Sequence, residues 1–171
     1  MRKVILFVSC AVLLVPAVFA QSPQSSPANP DNISATVINN CTVDTFDIAF
    51  GNYDPVVAND TTDLDQTATV NVYCTKGATF LSLTLNNGLN FDALSGARRM
   101  AFGAERLAYN IYLDAPGGTV WNTTNDVSPT LASTGKNNPI DGGYTAYGRV
   151  FAGQDVAAGD YYDTVVATVN F

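Results

Sequence analysis

The strongest constraint on the fold is a two-residue alternation of apolar and polar side chains that recurs along the chain. The clearest segments are residues 68–74, 81–85, 107–113 and 165–171. Successive side chains of an extended chain point to opposite faces, so each segment is predicted to be a strand with one buried face. Beyond the first 20 residues, no long segment carries a helical apolar stripe. We therefore expect an all-β protein of antiparallel sheets.

Turn-forming residues separate the predicted strands. Asn-Asn-Gly occupies residues 86–88, Pro-Gly-Gly residues 116–118 and Asp-Gly-Gly residues 141–143. Short strands with regular turn signals are typical of a β-sandwich. The length of 171 residues suits one such domain.

The N-terminus has the pattern of an export signal. Arg2 and Lys3 precede an apolar run at residues 4–15, and small residues precede position 21. We interpret residues 1–20 as a signal peptide rather than a membrane anchor, which needs roughly 20 apolar residues. Residues 21–31 are rich in proline and serine and are predicted to be an extended leader. The domain then spans residues 32–171, with no stable membrane insertion.

Signal cleavage removes Cys10 and leaves Cys41 and Cys74. An even pair in an oxidising compartment predicts a disulfide, the alternative being two buried free thiols. The bridge closes a loop of about 34 residues, which stabilises the fold by roughly 3–4 kcal/mol.

Composition argues against several functions. The chain has no histidine, which excludes Ser-His and Cys-His nucleophiles, and we expect no catalytic site, metal or cofactor. The net charge of −7 disfavours nucleic acid as a partner. Asp60, Asp63 and Asp65 are interpreted as a solvated loop or, alternatively, a calcium site without the usual glycine and distal glutamate.

Two further motifs allow two interpretations each. Arg98-Arg99 is either an anion site or a doublet that pairs with carboxylates on the acidic surface. Trp121 and the tyrosines are either a sugar-binding platform or core residues.

Several short motifs together resemble the spore coat protein U domain family over about residues 33–171. They are Cys41-Thr42-Val43, Phe50-Gly51-Asn52-Tyr53-Asp54-Pro55, Ala97-Arg98-Arg99-Met100, residues 107–114, Val120-Trp121, Tyr147-Gly148-Arg149 and residues 158–165. The sequence departs from the family pattern at Asn122, where glycine is common, and over residues 123–143.

The resemblance implies an incomplete immunoglobulin-like sandwich that is completed by a donated strand. It implies an exported structural subunit of a pilus or coat, not an enzyme. The expected partners are a periplasmic chaperone, which lends a strand first, an outer-membrane usher, and further copies of the subunit or of related subunits. The alternative function is a monomeric secreted binding module, such as an adhesin or a carbohydrate-binding sandwich.

Two segments are predicted to carry this assembly. Ile33, Ala35 and Val37, in the segment 32–38, alternate as a donor strand requires, although the first strand of the chain's own sandwich has the same pattern. At the other terminus, the strand is predicted to carry one apolar face, formed by Val165, Ala167, Val169 and Phe171. The resemblance implies that this strand borders the groove and is gripped by the chaperone.

Overall fold

A computed structural model describes residues 34–171. The predicted signal peptide, the leader and Ile33 lie outside the described residues. Contacts divide the chain into Met1–Thr36 and Val37–Phe171, and all the strands belong to the second unit. Of the first unit, residues 34–36 are described and have no regular secondary structure.

The described residues form eight strands. In chain order they are β1 (Cys41–Val43), β2 (Leu64–Val70), β3 (Val72–Cys74), β4 (Ser82–Leu85), β5 (Arg98–Phe102), β6 (Glu105–Tyr112), β7 (Tyr144–Val150) and β8 (Ala167–Asn170). A short 3-10 turn, Ile140–Gly142, precedes β7. Within residues 34–171 there is no helix of the length and hydropathy needed to cross a bilayer.

The strands form one continuous sheet and two separate pairs. β2, β7, β6 and β5 are joined in that order into a four-stranded antiparallel sheet, which we call the complete sheet. β1 pairs with β3, and β4 pairs with β8, again antiparallel. β1 lies beside β8, but the two are not paired. We call these two pairs the split sheet.

One apolar core fills the space between the two sheets. Ile111 and Val150 of the complete sheet and Leu83 and Leu85 of the split sheet are almost fully buried in the same cluster. The fold is therefore an immunoglobulin-like antiparallel β-sandwich, as predicted.

Trp121 joins the two layers. Its side chain is fully buried, which identifies it as a core residue rather than part of a surface sugar platform. The indole N–H donates to the Leu83 carbonyl at 2.9 Å, and the backbone N–H donates to the Ile111 carbonyl at 2.8 Å. One residue thus bonds to β4 in the split sheet and to β6 in the complete sheet.

The predicted strand at residues 68–74 is two strands. β2 ends at Val70 in the complete sheet, whereas β3 begins at Val72 and pairs with β1. The intervening Asn71 carbonyl accepts a hydrogen bond from the Asp44 N–H at 3.0 Å. The chain therefore crosses between layers at Asn71 without losing its alternation.

Candidate functional site

An open groove with an apolar floor lies between the two pairs of the split sheet. Its sides are residues 43–53, which we call the N-terminal wall, and residues 156–167, the C-terminal wall. Two adjoining cavities of about 840 and 420 Å³ make up the groove. The larger cavity has a floor of apolar and aromatic side chains from the complete sheet: Leu64, Met100, Leu107, Tyr109, Ile111 and Val150.

The N-terminal wall looks like a strand but has no partner. Phe46, Ile48 and Phe50 are half-buried and alternate with exposed residues. Gly148 in β7 makes room for them, because a Cβ atom there would lie 2.8 Å from the Phe50 ring and 2.9 Å from Ile48. Within residues 34–171, the backbone of residues 45–52 forms no hydrogen bond. Our sequence analysis missed this wall, although the alternation at residues 46–50 was a usable signal.

Tyr53 fixes the far end of the N-terminal wall. Its hydroxyl donates to the Phe151 carbonyl at 3.0 Å and accepts from the Gln154 N–H at 3.0 Å. Phe50 packs edge-on against Tyr109 on the groove floor, with ring centroids 6.0 Å apart. The wall is therefore held by its side chains while its backbone stays unpaired.

The backbone groups of the C-terminal wall point in two directions. Asn86 N–H donates to the Val166 carbonyl, so even-numbered residues of this segment bond toward β4. On its other side, β4 exchanges hydrogen bonds with Val127 through Leu83. The direction of the backbone hydrogen-bonding groups alternates along an antiparallel strand. The N–H and C=O groups of Ala167 and Val169 therefore point away from β4, into the gap between the two pairs of the split sheet.

The same argument applies to β1 on the other side of the gap. Asn40 and Asp44 are the residues that bond toward β3 and its neighbours. The N–H and C=O groups of Cys41 and Val43 therefore face away from β3, toward β8. Two unpaired backbone edges thus lie next to each other at one end of the groove, where Cα atoms of β1 and β8 come within 8 Å, and the larger cavity opens between the two walls.

The predicted C-terminal residues lie at this groove. Val165, Ala167 and Val169 are half-buried against the core, as their alternation predicted. Phe171 lies beyond the end of β8 and is 55% exposed. The predicted role of this face in chaperone binding stays a prediction.

The predicted donor residues are outside any strand. Ala35 and Val37 have no regular secondary structure, and Val37 is 81% exposed. The chain is first anchored at Ile38 and Asn40, where the Thr75 hydroxyl donates to the Ile38 carbonyl and accepts from the Asn40 N–H.

Cys41 and Cys74 form the predicted disulfide. They lie directly opposite each other in β1 and β3, at a pair without mutual backbone hydrogen bonds, where side chains approach most closely. The bridge therefore fixes the start of the N-terminal wall to β3.

A polar contact lies in the middle of the groove. The Asp163 carboxylate accepts hydrogen bonds from the Leu89 N–H at 2.8 Å and from the Tyr109 hydroxyl at 2.7 Å. Gly88 lies against it, and any side chain at that position would collide with the carboxylate. Burial raises the pKa of Tyr109 far above its usual value, and the hydrogen bond to Asp163 raises it further, so the phenol remains a donor.

Arg98 corrects one prediction. It is not a surface residue paired with carboxylates but a core residue that is only 1% exposed. Its guanidinium donates to the carbonyls of Asn86 and Trp121 at 2.7 and 2.6 Å. Its Nη1 has no hydrogen-bond partner among residues 34–171. Arg99 does pair with a carboxylate, Asp92, at 3.7 Å.

Two of the three residues of the acidic cluster contact an arginine, and the prediction of a solvated loop is wrong for Asp65, which lies in a strand. Asp65 lies in β2 and accepts two hydrogen bonds of 2.7 Å from Arg149, and Asp63 lies 3.1 Å from the same guanidinium. In the described part of the chain, no group of three or more acidic or cysteine side chains is arranged to hold a metal ion. The Arg149 guanidinium contacts the carboxylate oxygens of Asp63 and Asp65 that a calcium ion would need.

Comparisons with known proteins identify a family for this chain. A family model described as the Spore Coat Protein U domain matches residues 30–168. "Protein U" of Myxococcus xanthus is 38% identical over 130 residues, which cover 71% of this chain and 70% of that protein.

A solved structure shows a similar fold. It is the crystal structure of the CsuC-CsuE chaperone-tip adhesion subunit pre-assembly complex from archaic chaperone-usher Csu pili of Acinetobacter baumannii. The TM-score is 0.51 at 22% identity, over 80% of this chain and 40% of that one. The match thus spans less than half of the solved chain, and at this identity it shows the fold alone.

Proposed function

This chain belongs to the spore coat protein U domain family, and on that basis we propose that it is an exported structural subunit of a bacterial pilus or coat. The observation that carries the proposal is the gap in the split sheet. Two backbone edges, residues 45–52 of the N-terminal wall and Val165 of the C-terminal wall, have no backbone partner among the described residues and flank a groove with an apolar floor. An added strand would satisfy both edges and cover the groove, which is the physical basis of β-augmentation.

The donated strand comes from the segment 32–38 of a neighbouring copy. Ile33, Ala35 and Val37 supply apolar side chains on one face, as a strand over an apolar floor requires. Residues 32–40 carry no charged side chain, so their burial does not require ion pairing. The disulfide at Cys41 joins this arm to its own domain and would transmit tension along a fibre.

A periplasmic chaperone occupies the groove before assembly, and an outer-membrane usher exports the subunit. The similar solved structure supports this step, because it holds a chaperone in a pre-assembly complex with a tip adhesion subunit of a pilus. In this chain the C-terminal wall and β8 offer the chaperone an open strand edge with half-buried Val165, Ala167 and Val169 beside it.

Charge substitutions in the arm test strand donation. We expect Ile33→Asp and Val37→Asp to abolish polymers that resist dissociation in unboiled gels, because a charge in an apolar groove is costly. Ser34→Asp and Thr36→Asp are matched controls on the opposite face and should still assemble. All four proteins should bind the chaperone.

The results separate the candidate functions. If Ile33→Asp and Val37→Asp polymerise like the wild type, the arm is not the donor. A wild-type protein that remains monomeric in the presence of chaperone and usher would instead favour the monomeric binding module.

A further inference from the structure

We propose that Asp163 divides the groove and selects donated strands that place a small, uncharged residue between two larger apolar ones. The proposal rests on the proposed function and adds a rule for which strand fits and in which register. It follows from the position of Asp163, the way it is held, and the pattern of the donor segment.

Asp163 lies where the two cavities meet. The cavities share lining residues Phe46 and Asp47 from the N-terminal wall and Asp163 and Val165 from the C-terminal wall. A strand laid along the groove must therefore pass this junction, with one neighbouring side chain in each cavity. Side chains on one face of a strand are about 6.6 Å apart. When one of them lies at the junction, the next side chain of the same face in either direction therefore lies in one of the two cavities.

The Asp163 carboxylate cannot easily move out of the way. Its two oxygens are held from different directions by the Leu89 N–H and the Tyr109 hydroxyl, and the absence of a side chain at Gly88 creates the space it occupies. The buried Arg98 guanidinium adds a favourable charge interaction. A fixed carboxylate in an apolar groove is a specific obstacle to an incoming strand.

The carboxylate restricts the residue that lies over it. An ionised carboxylate has about four acceptor positions, of which Leu89 and Tyr109 use two. A bulky apolar side chain would exclude water from the others, and an acidic side chain would add repulsion. A small residue leaves room for a water molecule at the junction.

The segment 32–38 has the pattern that this junction requires. Ile33 and Val37 are large, and Ala35 between them is small. Placing Ala35 opposite Asp163 puts the two larger side chains in the two cavities. The alternating segment at residues 46–50 has Ile48 at its centre and does not fit the rule.

Substitutions of Ala35 in the full chain test the rule. We expect Ala35→Ser to assemble within about twofold of the wild-type rate, whereas Ala35→Leu loses at least about tenfold, because overpacking at a fixed site is destabilising. Ile33→Leu is the matched control in a cavity and should assemble nearly normally. Equal assembly of Ala35→Leu and the wild type would overturn the rule.

A charge pair tests the register. Ala35→Asp should block assembly, and Asp163→Asn in the accepting copy should restore part of it, because the repulsion is removed and the shape kept while the cost of burying the introduced charge remains. Ile33→Asp should not be rescued by Asp163→Asn. Rescue of Ile33→Asp in place of Ala35→Asp would overturn the register, and chaperone capture of Asp163→Asn checks that this variant folds.

Competitor peptides provide a readout that leaves Asp163 unchanged. A synthetic peptide of residues 29–40 should slow assembly of the full chain, and the same peptide with Ala35→Leu should not. If the wild-type peptide has no effect, strand donation itself fails, and this rule fails with it. If both peptides inhibit equally, strand donation stands and selection by Asp163 is wrong.

Discussion

The complete sheet and the split sheet enclose the same core, yet they differ in how their strand edges are used. In the complete sheet, β6 and β7 each have a partner on both sides. In the split sheet, β1 and β8 each have one partner and face each other unpaired. The difference lies in the backbone: the groove has an apolar floor, and within the described residues no strand pairs with the N-terminal wall beside it.

The two regions also differ in what holds them. Strand pairing and the contact of Arg149 with Asp65 join the complete sheet, whereas the split sheet depends on links that do not cross the gap. These links are the disulfide of β1 to β3, the side-chain contacts of the N-terminal wall, and Trp121 between the layers. Removing them in turn should rank their contributions.

The largest effect is expected at Trp121, because it bonds to both sheets. Trp121→Ala should lower the free energy of unfolding by about 3–5 kcal/mol, through loss of buried volume and of the hydrogen bond to Leu83. Trp121→Phe, which keeps most of the ring volume, should have a smaller effect. Urea denaturation measures both, and equal losses would show that the hydrogen bond, not the packing, joins the layers.

The disulfide comes next, because it supports only the split sheet. Cys41→Ser or Cys74→Ser should lower the free energy of unfolding by about 2–5 kcal/mol and reduce periplasmic yield. The double variant should be no worse than the single ones, since each removes the same bond. Non-reducing peptide mapping of the wild type that found two alkylatable thiols would contradict the assignment.

Proline substitutions distinguish the paired edge of β8 from its open edge. Thr168→Pro removes an N–H that points toward β4 and should destabilise the subunit by about 1–3 kcal/mol. Ala167→Pro removes an N–H that points into the gap, so it should spare the subunit but impair assembly. Equal destabilisation of the isolated subunit by both variants would mean that the gap edge is already paired.

The smallest effect is expected at Asp141, a polar link near the surface. Burial acts to raise the pKa of Asp141, but hydrogen bonds from Thr130, Tyr144 and Leu131 together hold it below its usual value. The resulting stability is present above about pH 4 and is lost as pH falls through the lowered pKa.

Asp141→Asn should therefore lose less than about 1 kcal/mol at neutral pH, since the site is exposed to solvent. The difference from the wild type should shrink below about pH 4. Thermal unfolding across this pH range measures it, and a difference that persists at low pH would assign the effect to packing instead.

Alternation predicted the strands whose apolar face is uninterrupted. The segments at residues 81–85 and 107–113 correspond to β4 and β6. β5 and β7 escaped prediction because their inner faces carry Arg98 and Gly148, a charge and a missing side chain. Both exceptions have tertiary causes, namely the carbonyls that Arg98 binds and the wall that packs on Gly148.

The groove was predictable only in part. The apolar face of the C-terminal segment was visible in the sequence, as was the cysteine pair. The direction of backbone groups was not, because it depends on which neighbour each strand pairs with. Asp163 was equally hidden, since nothing in its sequence context reveals that Tyr109 and Leu89 hold it at the centre of a groove.

The most direct test of the account is a cryo-electron microscopy structure of the assembled fibre. We expect residues 33–37 of the neighbouring subunit to lie between the N-terminal and C-terminal walls, hydrogen-bonded to the backbone of residues 45–52 on one side and of Val165 on the other, with Ala35 opposite Asp163. A fibre in which the two walls pair with each other, or in which each subunit's own residues 33–37 fill its groove, would contradict it.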